Sequence, residues 1–336
     1  STRKCTVLML DDRTAEAGDL QLHSIAHGVI SLEQLAQDFG TERRRLRVIK
    51  MRGISFSGGY HDFVLKTGGM HVFPRLIAAD HFTSFENSMA TTGVPGLDVL
   101  LGGGLVRGTN TLLSGPSGVG KTTTALRCTL GELERGETAA YYLFDEGVGT
   151  LIARARALGM DIDPYLADGS LELHQINPAE MSPGEFSATL RNAVEKEGRT
   201  FVVIDSLNAY LQGMPGEKYL LLQMHEMLSY LNQQGVTTML VLGQHGLVGE
   251  IRSDIDLSYL SDAILLFRFF EVRGDIATAI SVVKSRASHH PRSIHEFRLS
   301  PNQGLQVGEP LQDFEGIMSG LPTYRGRTPM LATDAD

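Results

Sequence analysis

The octapeptide Gly115-Pro116-Ser117-Gly118-Val119-Gly120-Lys121-Thr122 fits G-x-x-x-x-G-K-[ST] at every fixed position. Glycines let such a loop fold into a nest of inward-pointing N–H groups, the lysine adds a positive charge, and the Thr122 hydroxyl can ligate Mg²⁺. Four fixed positions match by accident in roughly one chain per hundred of this length, and the flanks argue further against accident. Thr109 to Ser114 is short, β-branched and apolar, as a buried strand should be, while Thr122 to Arg135 reads as a helix closed by Gly136. Strand, glycine loop and helix in that order put a helix N-terminus against the phosphates. Gly115, Pro116, Ser117, Gly118, Val119, Gly120, Lys121, Thr122 and Thr123 are the expected nucleotide contacts.

Working outward, Ala139 to Phe144 is a continuous strand ending in Asp145-Glu146. The C-terminal end of a strand is where open α/β sheets place their sites. Glu146 is the first candidate for orienting the attacking oxygen, with Asp145 the alternative and a helix cap the structural reading of either. Leu151 to Leu158 reads as a short basic helix stopped by Gly159. Ser182-Pro183-Gly184-Glu185 forms a capping box whose helix should end at Gly198. Phe201-Val202-Val203-Ile204-Asp205 is the next buried strand, and its terminal carboxylate is expected to share Mg²⁺ with Thr122. Glu217 to Gln234 is an amphipathic helix, followed by a strand over Thr237–Leu242 and a turn at Gly243-Gln244-His245-Gly246. Gln244 and His245 follow a core strand, where a polar side chain could sense the γ-phosphate or make a turn hydrogen bond. From Ala263 onward the pattern becomes antiparallel, with strands over 264–270, 277–284 and 293–299.

The chain has 336 residues, 42% of them apolar, enough for a sizeable core in one large domain or two ordinary ones. No apolar run reaches membrane-spanning length and no secretory signal opens the sequence, so a cytoplasmic location is the default. The net charge of −9 disfavours a nucleic-acid partner. Cys5 and Cys128 have no paired spacing and read as buried small hydrophobes. None of the eleven histidines has metal-ligand spacing.

An internal repeat changes the domain reading. Val48-Ile49-Lys50-Met51-Arg52 resembles Val282-Val283-Lys284-Ser285-Arg286, and His61 to Leu65 resembles His295 to Leu299, both at a separation of 234 positions. Gly69 to Val72 resembles Gly304 to Val307, and Val7 to Leu10, read as a buried strand, resembles Met239 to Leu242. Residues 1–80 are therefore expected to be the C-terminal half of a truncated domain, in a chain cut from something longer. Residues 81–90 would be a linker, 91–326 a complete domain and 327–336 a tail.

Thr92 to Asp98 with Gly102-Gly103-Gly104, the phosphate loop, Phe144-Asp145-Glu146, Asp205-Ser206-Leu207 and Asp256 to Asp262 together carry a family resemblance. On these motifs the chain from about Thr91 to Gly326 resembles the KaiC-like ATPases of the RecA/RadA superfamily, and residues 1–80 resemble the back half of another such domain. The resemblance implies an α/β, RecA-like fold: a mostly parallel twisted sheet flanked by helices, with a C-terminal antiparallel extension. It also implies hexameric rings of identical subunits with ATP and Mg²⁺ between them, Lys284 and Arg286 reaching a neighbour's γ-phosphate, and a signalling output through a protein partner. In such proteins the strand-end acidic pair supplies the catalytic base, its first member usually Glu where this chain has Asp145. Clock-type members also phosphorylate a Ser-Thr pair that aligns with Ser258-Tyr259, making Ser258 the candidate phosphosite of a serine/threonine autokinase. Two other readings of the same fold are a DNA-stimulated, recombinase-like ATPase and a scaffold that ATP merely stabilises. The first would need basic loops after the Asp205 and Leu242 strands, and Gln212 to Glu217 and Gly246 to Asp256 are not basic.

Overall fold

Apolar runs too short for helices and bounded by turn residues become strands when neighbours take up their N–H and C=O groups, and most of those in this chain do so in one sheet. The computed structural model describes residues 6–11, 21–37, 39–213, 219–244, 258–286, 289–300, 304–318 and 322–326. The chain divides into two compact units, one of Ser1–Leu35 with Arg43–Arg75, the other of Ala36–Glu42 with Leu76–Asp336.

In the first unit a short helix α1 (Gln21–Ile25) precedes an antiparallel meander of β1 (Gly28–Leu35), β2 (Arg43–Met51), β3 (His61–Lys66) and β4 (Gly69–Phe73). The expected strand at Val7–Leu10 does not form. Its side chains are exposed, Leu10 to 90%, because no described strand pairs with it and an apolar run alone cannot satisfy its backbone.

The second unit opens with β5 (Met89–Ala90), helix α2 (Pro95–Leu101) and β6 (Leu105–Val106), which pairs with β5. Then come β7 (Asn110–Gly115), α3 (Lys121–Glu134), β8 (Ala139–Leu143), α4 (Val148–Ala157), α5 (Asp163–Ala167), β9 (Leu171–Gln175), α6 (Pro183–Glu195), β10 (Phe201–Asp205), α7 (Leu207–Gln212), α8 (Leu220–Gln233) and β11 (Thr237–Gly243). An antiparallel run follows: β12 (Ala263–Val272), β13 (Asp275–Ser285), β14 (His295–Ser300) and β15 (Gly304–Pro310). The small hairpin of β16 (Phe314–Glu315) and β17 (Thr323–Tyr324) ends the described chain. Nine strands form one sheet in the order β15-β14-β13-β12-β7-β11-β10-β8-β9, parallel from β12 to β9 and antiparallel from β12 to β15. This is the α/β architecture with an antiparallel extension that the sequence predicts.

Strand alternation sends odd and even positions to opposite faces. Leu113, Tyr141, Val203, Val241, Leu265 and Phe267 pack under α3 and α4, while Leu112, Tyr142, Ile204, Leu240, Leu242 and Ile264 pack under α6, α7 and α8. Ser182 caps α6 as expected, its hydroxyl accepting from the Glu185 N–H at 3.1 Å. Such a cap contributes about 1 kcal/mol. Cys128 lies in the first core, where burial pushes its thiol pKa well up; Cys5 and the expected tail lie outside the described residues. Among the described residues no helix is long and apolar enough to cross a membrane.

Candidate functional site

The phosphate loop joins the C-terminal end of β7 to the N-terminus of α3, a helix of 14 residues. Close packing demands glycine at Gly115, where an added Cβ would come 2.7 Å from the Phe267 carbonyl oxygen. Gly120, at φ 101°, adopts a left-handed conformation as α3 begins. Lys121 is buried, and its ammonium donates to the carbonyls of Gly115 at 2.8 Å and Pro116 at 2.7 Å. Burial lowers its pKa to about 8, against the opposing attraction of Asp205.

Asp205 ends β10 on the face that carries α3, as alternation with Val203 requires. Burial raises its pKa, and hydrogen bonds from Thr122 and Tyr141, together with the Lys121 charge, oppose that rise. The Tyr141 hydroxyl donates to Asp205 Oδ2 at 2.9 Å. Lys121, Thr122 and Asp205, distant in sequence, therefore meet at one place. Among the described residues no three His, Cys, Asp or Glu side chains converge as a metal centre. A hydroxyl beside a carboxylate is nevertheless the donor set for a Mg²⁺ that takes its remaining ligands from phosphate and water, so the residues present fit that ion.

The acidic pair splits in two directions. Asp145 accepts a hydrogen bond from the Ser206 hydroxyl, which also accepts from the Ala209 N–H as the cap of α7. Glu146 turns to Arg154 on α4, which donates to both of its oxygens at 2.9 and 2.6 Å. Sequence reasoning gave no role to Tyr141 or Arg154 and named Ser206 only within the Asp205-Ser206-Leu207 motif. Alternation on β8 and β10 could have pointed to Tyr141, since residues 141 and 205 fall on one face, whereas nothing local marks the Glu146–Arg154 pair.

Gln244 immediately follows β11, and its N–H donates to the Gly115 carbonyl at 2.9 Å, which brings it beside the loop. The remainder of the expected turn, from His245, lies outside the described residues, as does the side chain of Ser258, whose backbone starts a short 3₁₀ turn to Leu260.

Lys284 and Arg286 do not join this group. Lys284 pairs across the sheet with Ile264 and its ammonium donates to the Ser261 carbonyl at 2.7 Å. Arg286 follows β13, with its N–H on the Asp262 carbonyl and its guanidinium 3.8 Å from the Asp262 carboxylate. Ile264 and Asp262 are level with Leu112 and Asn110, at the end of β7 away from the loop.

The circadian clock oscillator protein KaiC of Synechococcus elongatus is 26% identical to this chain over 330 residues, covering 95% of the chain and 62% of that protein. The KaiC of Parathermosynechococcus lividus is 25% identical over 331 residues, 95% of the chain and 59% of the protein. The circadian clock protein KaiC3 of a Synechocystis species is 26% identical over 329 residues, 96% of the chain and 64% of the protein. The chain thus spans about six tenths of the length of these relatives. Residues 90–312 match the family described as the KaiC ATPase. With a phosphate loop, a buried strand-end carboxylate and that match over more than half its length, the chain belongs to the KaiC family of ATPases.

Proposed function

We propose that the chain binds Mg-ATP at its phosphate loop and hydrolyses it slowly at a site that a second copy completes. The observation carrying this reading is the register of β7, β12 and β13. Arg286 is level with Asn110 and the loop begins at Gly115, so at about 3.3 Å per residue roughly 16 Å of strand separates them. That is beyond the reach of the side chain. The Arg286 side chain is 58% exposed, open to another copy, and a phosphate site at one end of the sheet with cations at the other suits head-to-tail assembly into a closed ring. Six subunits is the size the resemblance implies.

In this reading Lys121 leaves the Gly115 and Pro116 carbonyls for the β- and γ-phosphates, which α3's N-terminus also faces. Thr122 and Asp205 are the oxygen ligands for Mg²⁺, which when bound neutralises charge on the phosphate oxygens. Tyr141 holds Asp205 in orientation. Asp145, with one oxygen on Ser206, aligns the attacking water, while Glu146 has both oxygens committed to Arg154. That reverses the preference drawn from sequence alone. Lys284 and Arg286 of the neighbouring copy then stabilise charge in the transition state. Residues 1–80 act as the back half of a second such domain, and the output is a conformational signal to a protein partner in the cytoplasm.

The test mixes two inactive variants. K121A lacks a working loop and R286A lacks the cation, so each alone should release little phosphate, and a mixture should recover turnover through interfaces that pair an intact loop with an intact arginine. No recovery would refute completion by a neighbour, and Mg-ATP-driven assembly of the wild type without phosphate release would sink the enzyme reading. Within the site, D145N should lower kcat by about a hundredfold or more, with E146Q within a few-fold of wild type.

A further inference from the structure

Arg268 is a charged residue for which neither the fold nor the proposed chemistry gives a use. It lies on β12 just past the part that pairs with β7, where Leu266 is opposite Ser114. It is 9% exposed, and its Nε is buried with no hydrogen-bond partner among the described residues. One Nη donates to Gln244 Oε1 at 3.1 Å, and no carboxylate pairs with it among the described residues. Alternation explains the meeting: Ile264 and Leu266 lead to Arg268 on the face where Leu240 and Leu242 lead to Gln244, with only the end of β7 between them.

The backbone around Gln244 is pinned from two sides. Asn208 donates to the Gly243 carbonyl at 3.0 Å and accepts from the Gly243 N–H at 2.6 Å, and the Gln244 N–H is fixed on Gly115. Guanidinium is a donor only, so it must take the oxygen of the Gln244 amide. The amide NH₂ is then the end that Arg268 does not engage, on a residue whose own N–H is bonded to the first residue of the loop.

We propose that Arg268 is a positioning residue that orients Gln244 so that its amide NH₂ donates to the γ-phosphate of bound nucleotide, making this pair the element that tells ATP from ADP. The inference rests on the phosphate-loop reading above. A γ-phosphate near this pair would also offset the charge of a guanidinium whose pKa burial already lowers.

The experiment compares the affinities of the whole chain for Mg-ADP and for a non-hydrolysable imido analogue of Mg-ATP by titration calorimetry. R268M should lower the ATP-analogue preference by about tenfold while leaving ADP affinity within twofold, the scale of one hydrogen bond to a charged acceptor, and R268K should retain part of it. Q244E keeps a partner for Arg268, and so the local fold, but loses the donor, and should lower the preference at least as far. Equal weakening of both nucleotides in R268M would overturn the proposal by making Arg268 merely structural. An undiminished preference in Q244E would overturn it independently, even if R268M failed to fold. A wild type that bound neither nucleotide would instead bring down the phosphate-loop reading on which the proposal stands.

Discussion

In the first meander Val29 pairs with Lys50 and Ile30 with Val48; in the second, Ile264 pairs with Lys284 and Leu265 with Val282. Each second strand thus carries one extra residue, Ile49 or Val283, at the same place in the pattern. The basic pair after the bulge is tied down in the same way as well. Lys50 donates to the carbonyls of His23 and Ser24 as Lys284 does to Ser261, and the N–H of Arg52 bonds His27 O at 2.9 Å as that of Arg286 bonds Asp262 O at 2.9 Å. Burial separates the two. Leu265 and Phe267 are fully buried, whereas their counterparts Ile30 and Leu32 are 55% and 56% exposed. β12 has β7 along its outer edge and α3 nearby, and β1 has no strand on that edge among the described residues. The second meander carries Lys284 and Arg286 at its bulge, and the layer of β7, loop and α3 supplies the dry core and holds Lys121.

The largest effect should come from attacking that layer directly. K121A should weaken ATP binding roughly a thousandfold, the cost of truncating a buried, charge-paired contact, and leave no second class of site in a calorimetric titration. Saturable ATP binding that survived K121A would mean that the β1–β4 unit holds nucleotide without a phosphate loop. Next in size is the contrast between the two arginines. R286A should lower turnover by about a hundredfold or more with ATP affinity changed little, as loss of an arginine finger does, while R52A should leave phosphate release at the wild-type rate. Equal losses in both would break the comparison, because the sequence holds a single phosphate-loop motif and it lies in the second unit.

Those elements of the second unit that the sequence marked depend on local signals, whereas α5, β9 and α7 were not read from it. A continuous apolar run and the Asp205 terminus marked β10, and the capping box and Gly198 bounded α6. Val7–Leu10 misled for the opposite reason: composition reports that a run suits a sheet, not that a partner strand is there to receive it. The phosphate-loop residues followed from spacing, yet the ties around them did not. Arg154 reaches Glu146 from the next helix, and Arg268 reaches Gln244 across the end of another strand. Contacts set by the order of strands in a sheet leave no mark in a linear motif.

A stability measurement sharpens the burial difference. Leu265→Ala removes a side chain packed on all sides and should cost about 2–5 kcal/mol, read as a lowered denaturation midpoint. Ile30→Ala, at the matching position on a half-exposed face, should cost about 1 kcal/mol or less. Comparable losses would show that the β1–β4 face is covered in solution and that the two meanders differ less than their burial indicates.

The smallest effect is a proton effect, and it belongs to the layer that β12 has and that β1 lacks among the described residues. Burial holds Lys121 at a pKa of about 8, below the ordinary lysine value of 10.5. The folded, nucleotide-free chain therefore binds fewer protons than the unfolded chain between those two values, and this lysine makes stability rise with pH across that window. ATP binding runs the other way. Phosphate favours the ammonium form, so binding takes up a proton once the pH exceeds about 8, and affinity should fall by up to about tenfold per pH unit from there. Below that pH the lysine is already charged and contributes no slope. K121R, whose charge persists throughout, should flatten the profile above pH 8 even if its affinity is lower at every pH. A decline that persisted in K121R would assign the proton to another group and leave the buried lysine out of phosphate binding.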